Sequence, residues 1–135
     1  MGFISDLFKP GKKKILVVDD DPSVRGLVQD LLSAEGYLVE TAEDGILGLA
    51  KFKSGSYDLL ILDEHMPRMD GTALLNLIRS SPKGAGQKVL MLSGETMLDP
   101  INRAYQHGIV DWIPKPFAVD ALLKKVIAHL GAPKK

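Results

Sequence analysis

Four short apolar runs, each ending on polar side chains, constrain the fold of this chain more than any other feature of its sequence. The polar residues that follow the runs are Asp19 and Asp20, Asp63, Ser93, and Lys115. Runs that are almost entirely apolar are typical of parallel strands covered by helices on both faces. Because parallel strands end at one edge of a sheet, where ligands bind in open α/β folds, we expect these side chains to meet.

Strand-like and helix-like segments alternate along the chain. The strands are predicted at about 14–19, 37–41, 57–62, 87–92 and 109–113, since each is a short run rich in apolar residues. The second is the most polar and is typical of an edge strand. Right-handed crossovers then predict an α/β fold, a (βα)₅ doubly wound sheet of five parallel strands in the flavodoxin-like order 2-1-3-4-5.

Five helices are predicted between and after these strands, the fourth at about 99–107. The expected N-caps of the first four are Asp21, Asp44, Asp70 and Asp99. Apolar spacing predicts the inward-facing side chains. They are Val24, Leu27, Val28, Leu31 and Leu32, then Ile46, Leu49, Ala50 and Phe52, then Leu74, Leu75 and Ile78, and finally Val119, Leu122, Leu123, Val126, Ile127 and Leu130.

Composition narrows the class of protein. A chain of 135 residues is long enough for one domain with a proper core. Basic and acidic residues balance at 17 each, so no overall charge favours nucleic acid as a partner. The chain has no cysteine and no apolar run near the ~18 residues that span a bilayer. We therefore expect a cytoplasmic domain without disulfides or a membrane span.

The predicted sheet edge suits a divalent metal and a phosphoryl group. Asp19, Asp20 and Asp63 would repel one another, so a cation must offset them or a pKa must rise. Oxygen ligands favour a hard ion, and Mg²⁺ is the usual choice beside a phosphate. A carboxylate such as Asp63 can attack phosphorus to form an acyl phosphate. Lys115 would add positive charge and the Ser93 hydroxyl a hydrogen bond.

Five strings identify a family that this sequence resembles. ILVVDDD, AEDG, LLILDEHMPRMDG, VLMLSG and WIPKPF occur in this order on alternating strands and helices. Together they resemble the receiver domain of response regulators in two-component signalling. The resemblance covers residues 14–131 and leaves 1–13 as an N-terminal extension and 132–135 as a tail.

The resemblance implies a role for each residue at the sheet edge. Asp63 would be the phosphoacceptor, and Ser93 and Lys115 would contact the phosphoryl group. Mg²⁺ would be bound by Asp19, Asp20, Asp63 and the backbone carbonyl of His65. The peptide bond between Lys115 and Pro116 would be cis.

Further residues receive weaker assignments. By the same resemblance, Ser93 and Trp112 would form a conformational switch, although Trp112 could instead be a packing residue. The His65 side chain is expected to affect the lifetime of the phosphoryl group rather than bind the metal. His107 and His129 are expected on helix surfaces. Phe3, Ile4, Leu7 and Phe8 could form a docking peptide or belong to a frayed tail.

The predicted function is a stand-alone receiver that accepts a phosphoryl group from the phosphohistidine of a histidine kinase or phosphotransfer protein. Output is expected through protein contacts on the fourth helix, fifth strand and fifth helix, without a dedicated enzyme activity. Two alternatives remain at this point: a phosphorelay shuttle, and a binding module that phosphorylation does not regulate. A phosphatase of the haloacid-dehalogenase type is disfavoured, because such enzymes carry a second aspartate where this chain has His65. The chain could also be a fragment of a longer protein.

Overall fold

A computed structural model describes residues 12–94 and 108–133. Its five strands are β1 Lys14–Val18, β2 Leu38–Ala42, β3 Leu59–Asp63, β4 Val89–Ser93 and β5 Asp111–Pro114. All neighbouring strands are parallel, and the order across the sheet is β2-β1-β3-β4-β5. The predicted α/β fold class and strand order are therefore confirmed, with β2 at an edge.

Four helices lie in the described ranges. They are α1 Pro22–Glu35, α2 Gly45–Ser54, α3 Gly71–Arg79 and α4 Val119–Leu130. Asp21, Asp44 and Asp70 cap the first three, and each side chain accepts a hydrogen bond from a backbone N–H in the first turn. The helix predicted at 99–107, with its cap Asp99 and with His107, lies outside the described residues, as does the segment that contains Phe3 and Phe8.

Helices cover the sheet on both faces. Phe52 of α2 and Leu74 of α3 pack with alternate strand residues such as Leu16 on one face. Val28 of α1 and Leu122 of α4 pack with the intervening strand residues on the other. The strand ends that carry polar side chains thus stand at the edge of a sandwich whose two layers fix them in place.

The predicted strand boundaries need correction. The third, fourth and fifth strands begin at Leu59, Val89 and Asp111, two residues later than predicted. Tyr57 and Ile109 precede these strands but are already buried, at 9% and 6% exposure. An apolar run indicates which residues are buried, whereas a strand is defined by its ladder of backbone hydrogen bonds. In this chain the buried residues begin before the ladder does.

Several predicted inward-facing side chains lie at the surface. Leu27, Ile46 and Val119 are 48%, 54% and 39% exposed, and Ala50 is also exposed. In α2 the buried face consists of Gly45, Gly48 and Phe52, because a glycine lets the helix approach the sheet closely. A Cβ at Gly48 would lie 2.8 Å from a methyl group of Val18 in β1.

Within the described ranges, no helix is long and apolar enough to cross a membrane.

Candidate functional site

Three aspartates meet where β1 and β3 end. Asp19 follows β1 and is fully buried, Asp63 ends β3 at 3% exposure, and Asp20 is exposed beside them. One carboxylate oxygen of each lies within 4.8 Å of the others. The pairing of β1 with β3, which sets Val18 beside Leu62, brings these carboxylates together although they are distant in sequence.

Lys115, which directly follows the edge strand β5, reaches into this cluster. Its Nζ donates to Asp19 Oδ2 at 2.9 Å and lies 3.3 Å from Asp63 Oδ1. Its backbone N–H donates to the carbonyl oxygen of Ser93 at 2.7 Å, and its peptide bond to Pro116 is cis. Burial alone would lower the pKa of the Lys115 ammonium, but its hydrogen bond to Asp19 and the charge of Asp63 raise that pKa above its usual value. Lys115 therefore stays protonated in the crevice.

The Asp63 carboxyl is unusually basic. Burial, and next the charge of Asp19, raise its pKa from 3.8 to about 6. Lys115 and the backbone N–H of His65, which donates to Asp63 Oδ1 at 3.4 Å, act in the opposite direction. At neutral pH most of the carboxyl is still ionised, and a more basic carboxylate is the better nucleophile.

Ser93 and Trp112 lie on the two strands beyond β3. Ser93 ends β4 and is 4% exposed. Trp112 of β5 is half-buried and packs against the core layer beneath α2 and α3. The register places Trp112 beside Met91, and Pro114 beside Ser93. The two residues predicted as a switch are thus on adjacent strands, two positions apart in register.

The histidines differ in their surroundings. The His65 residue is exposed beside the crevice. His129 lies on α4 with its side chain partly exposed, and its Nε2 is 3.3 Å from Asp111 Oδ2. The same Asp111 also accepts a hydrogen bond from Lys125 at 2.8 Å, so α4 is tied to β5 by two side chains.

Two features of the site were missed from the sequence. Arg25 of α1 donates from Nη1 to the backbone carbonyl of Asp19 at 2.8 Å and so holds the loop after β1. Glu64, directly after Asp63, is buried at 8% exposure and bound to the hydroxyl of Thr72. A charged residue immediately after an apolar strand was a signal for Glu64, but only the folded chain identifies its partner.

The donor set fits a hard divalent cation. Its side-chain ligands are carboxylates, and the single ammonium of Lys115 leaves the three aspartates with an excess of negative charge. Oxygen ligands with excess negative charge are what Mg²⁺ prefers. Asp19, Asp20 and Asp63 would hold it.

Residues 15–127 match the family model of the response regulator receiver domain. The chain belongs to this family. Among curated relatives of this receiver domain, the response regulator MprA of Mycobacterium ulcerans is 38% identical over 121 residues, which are 90% of this chain and 51% of MprA. The chain therefore spans about half the length of the curated relatives it matches.

Solved structures agree with this assignment. The chemotaxis response regulator CheY4 of Vibrio cholerae superposes with a TM-score of 0.83 at 35% identity, covering 87% of this chain and 98% of CheY4. The response regulator TrrA of Thermotoga maritima, solved in complex with Mg²⁺ and BeF, gives a TM-score of 0.77 at 37% identity, with coverage of 87% and 98%. This receiver domain thus shares its fold and family with regulators of two-component signalling.

Proposed function

We propose that Asp63 accepts a phosphoryl group from the phosphohistidine of a histidine kinase or phosphotransfer protein. Asp19, Asp20, Asp63 and the backbone carbonyl of His65 would hold the required Mg²⁺. The observation that carries this proposal is the meeting of three carboxylates within 4.8 Å, with Lys115 bonded to two of them. We place the exchange in the cytoplasm, where ATP is available to the kinase.

The transfer needs little beyond positioning and charge. A carboxylate oxygen of Asp63 bonds to phosphorus, the P–N bond to the donor imidazole breaks, and the released imidazole takes a proton from water. Lys115 neutralises charge on the transferred group, and the Ser93 hydroxyl donates a hydrogen bond to one of its oxygens. When bound, Mg²⁺ supplies the positive charge that lets a phosphate approach three carboxylates.

A groove beside Lys115 is the proposed docking site of the donor. It has a volume of about 390 Å³ and is lined by Asp21, Val24, Leu27, Lys115, Pro116 and Phe117. Leu27 is 48% exposed there although it belongs to the apolar stripe of α1. An apolar groove next to the reacting carboxylate suits the apolar face of a helix that carries the phosphohistidine.

Output would pass through protein contacts rather than through a dedicated enzyme activity. The proposed surface includes β5 and α4, which is the fifth of the helices predicted from the sequence. Trp112 is half-buried there, between the core and the surface. Ser93 would move towards the phosphoryl group, and the ring of Trp112 would follow it inward. The partner would then distinguish the two positions of the ring.

Labelling of the protein with acetyl phosphate or a histidine kinase tests the proposal. We expect one hydroxylamine-sensitive phosphoryl group that requires Mg²⁺ and is lost in Asp63→Asn and in EDTA. Full labelling of Asp63→Asn would disprove the assignment, and absence of labelling in the wild type would favour an unregulated binding module. Chase of the labelled protein with a histidine phosphotransfer protein would reveal a shuttle.

A further inference from the structure

The segment that follows Asp63 is fastened to the start of α3. The backbone N–H of Glu64 donates to the carbonyl of Leu92 in β4 at 2.8 Å, and its carbonyl accepts from Gly71 at 2.9 Å. A Cβ at Gly71 would lie 2.5 Å from the carbonyl oxygen of Asp63. The first residue of α3 is therefore pressed against the backbone of the reacting residue.

The side chain of Glu64 adds a second bond across the same junction. The hydroxyl of Thr72 lies 2.9 Å from Oε1 and 2.8 Å from Oε2 of Glu64, which is 8% exposed. A buried carboxylate is costly unless it is hydrogen-bonded, so this contact fixes where the side chain lies. The proposed reaction uses neither residue, and their side chains are hydrogen-bonded to each other.

Residues 65–70 form a short loop between these two fastened ends. Its first peptide lies next to Glu64. Its last residue, Asp70, caps α3 by accepting a hydrogen bond from the backbone N–H of Ala73 at 2.8 Å. Arg68 in the middle has a φ of 68°, which is uncommon for a residue with a Cβ. The His65 peptide thus lies between Glu64, which is hydrogen-bonded to β4 and α3, and the contact of its own N–H with Asp63 Oδ1 at 3.4 Å.

We propose that the hydrogen bond between Glu64 and Thr72 positions the His65 peptide for Mg²⁺ binding. Both would be positioning residues that never touch the metal or the phosphoryl group. This inference rests on the proposed function, since it assigns the His65 carbonyl to the metal. It adds that metal affinity depends on a buried contact beneath the loop as well as on the ligands themselves.

Calorimetric titration of the metal-free protein with Mg²⁺ tests the inference directly. Thr72→Val keeps the shape of the side chain but removes the hydroxyl, so we expect a Kd for Mg²⁺ about threefold to tenfold weaker, as for the loss of one hydrogen bond. Thr72→Ser keeps the hydroxyl and should bind as the wild type does. At saturating Mg²⁺, labelling of Asp63 in Thr72→Val should reach the wild-type level.

Variants of Glu64 give an independent test if Thr72→Val does not fold. Glu64→Leu removes the acceptor of both the Thr72 hydroxyl and the Thr72 backbone N–H, so it should weaken Mg²⁺ binding at least as much as Thr72→Val does. Glu64→Gln removes the charge but keeps an acceptor and should bind Mg²⁺ as the wild type does. The double variant Glu64→Leu with Thr72→Val should bind Mg²⁺ no more weakly than Glu64→Leu alone, because Glu64→Leu already removes the bond to the Thr72 hydroxyl.

A matched control separates positioning from general stability. Tyr37→Phe also removes one hydroxyl, which donates to the carbonyl of Gly131 at 2.8 Å, at the opposite end of the sheet. It should lower the melting temperature and leave the Kd for Mg²⁺ unchanged. Unchanged Mg²⁺ affinity in folded Thr72→Val or Glu64→Leu would overturn the inference alone, whereas a wild type that does not bind Mg²⁺ would overturn the proposed function.

Discussion

Asp63 is held in a position that disfavours its charge. Burial and the neighbouring Asp19 raise its pKa from 3.8 to about 6, so the folded protein binds this proton more tightly than the unfolded chain does. The stabilisation of the fold by binding of this proton is fully present below about pH 4 and is lost as the pH rises through about 6. At neutral pH without metal, the ionised Asp63 therefore destabilises the fold.

Asp63→Asn should consequently stabilise the metal-free protein. A shift of one unit in a pKa between the unfolded and folded states changes the free energy of unfolding by about 1.4 kcal/mol. Water in the crevice screens part of this contribution for Asp63. We expect the free energy of unfolding in EDTA to rise by about 1–2 kcal/mol near pH 8, and to change little below about pH 4. Urea unfolding at both pH values measures this.

Asp20→Asn provides the matched control for this prediction. Asp20 belongs to the same acidic cluster but is exposed, so water already relieves most of its repulsion. Its gain in stability should be smaller than that of Asp63→Asn. Equal gains in both variants, or a gain that persists below pH 4, would show that burial of Asp63 is not the cause.

Arg68 combines backbone strain with an exposed ion pair. Its φ of 68° is costly for a residue with a Cβ, by about 1 kcal/mol. The compensating pair with Asp44, 3.2 Å long, is weak because the Arg68 side chain is 66% exposed. We expect Arg68→Gly to be more stable than Arg68→Ala by about 1 kcal/mol in thermal unfolding, since both lose the ion pair and only glycine relieves the strain.

At the scale of elements, the approach of α3 to β3 requires a glycine. A Cβ at Gly71 would lie 2.5 Å from the carbonyl oxygen of Asp63 and 2.7 Å from the methyl group of Met91. Gly71→Ala must push α3 away from the strand, so we expect a loss of about 1–3 kcal/mol in urea unfolding. Because the displaced carbonyl belongs to the phosphoacceptor, labelling of Asp63 should also slow.

Gly26 in α1 is the control for this substitution. A Cβ there would meet nothing within 4 Å, and alanine is the better helix former. Gly26→Ala should therefore stabilise the protein by about 0.5–1 kcal/mol with labelling unchanged. Destabilisation by Gly26→Ala, or a neutral Gly71→Ala, would contradict the packing described for these helices.

Helices and strands were predictable where the local residue pattern itself causes the structure to form. Apolar strands, aspartate caps and the two-sided layers follow from local sequence, so the order of the sheet and the caps Asp21, Asp44 and Asp70 could be anticipated. Side-chain burial within a helix depends on what packs against it. Ile46 and Val119 continue apolar stripes but face outward, and Gly48 takes the inward position in α2 because it allows close packing.

At the scale of the whole molecule, the site joins residues that are far apart in sequence. Lys115 and Asp19 are 96 positions apart and are 2.9 Å from each other. The common location of the strand ends was predictable from topology. The crowding of the aspartates predicted a raised pKa at this edge unless a cation is bound, but the sequence did not identify Asp63 as the group whose pKa rises. The bond between Glu64 and Thr72 and the Arg25 contact with Asp19 were not predictable, because they depend on distances that only the packed chain fixes.

Trp112 offers a test of whether the site communicates with the rest of the molecule. It is the only tryptophan of the chain, so all tryptophan emission reports on β5. Its ring is half-buried against the core, and its backbone carbonyl accepts a hydrogen bond from Lys125 of α4 at 2.9 Å. An inward movement of the ring would change its exposure to water.

We expect a Mg²⁺-dependent beryllofluoride complex at Asp63 to shift Trp112 emission to the blue and to reduce quenching by iodide. Ser93→Ala should weaken both changes while Asp63 still accepts the phosphoryl group more slowly, because the hydroxyl that links the modified carboxylate to β4 is gone. Asp63→Asn is the control that should show neither change. Constant emission and quenching in a fully modified protein would make Trp112 a packing residue, and the signal would then have to leave through another surface, such as the loop around His65.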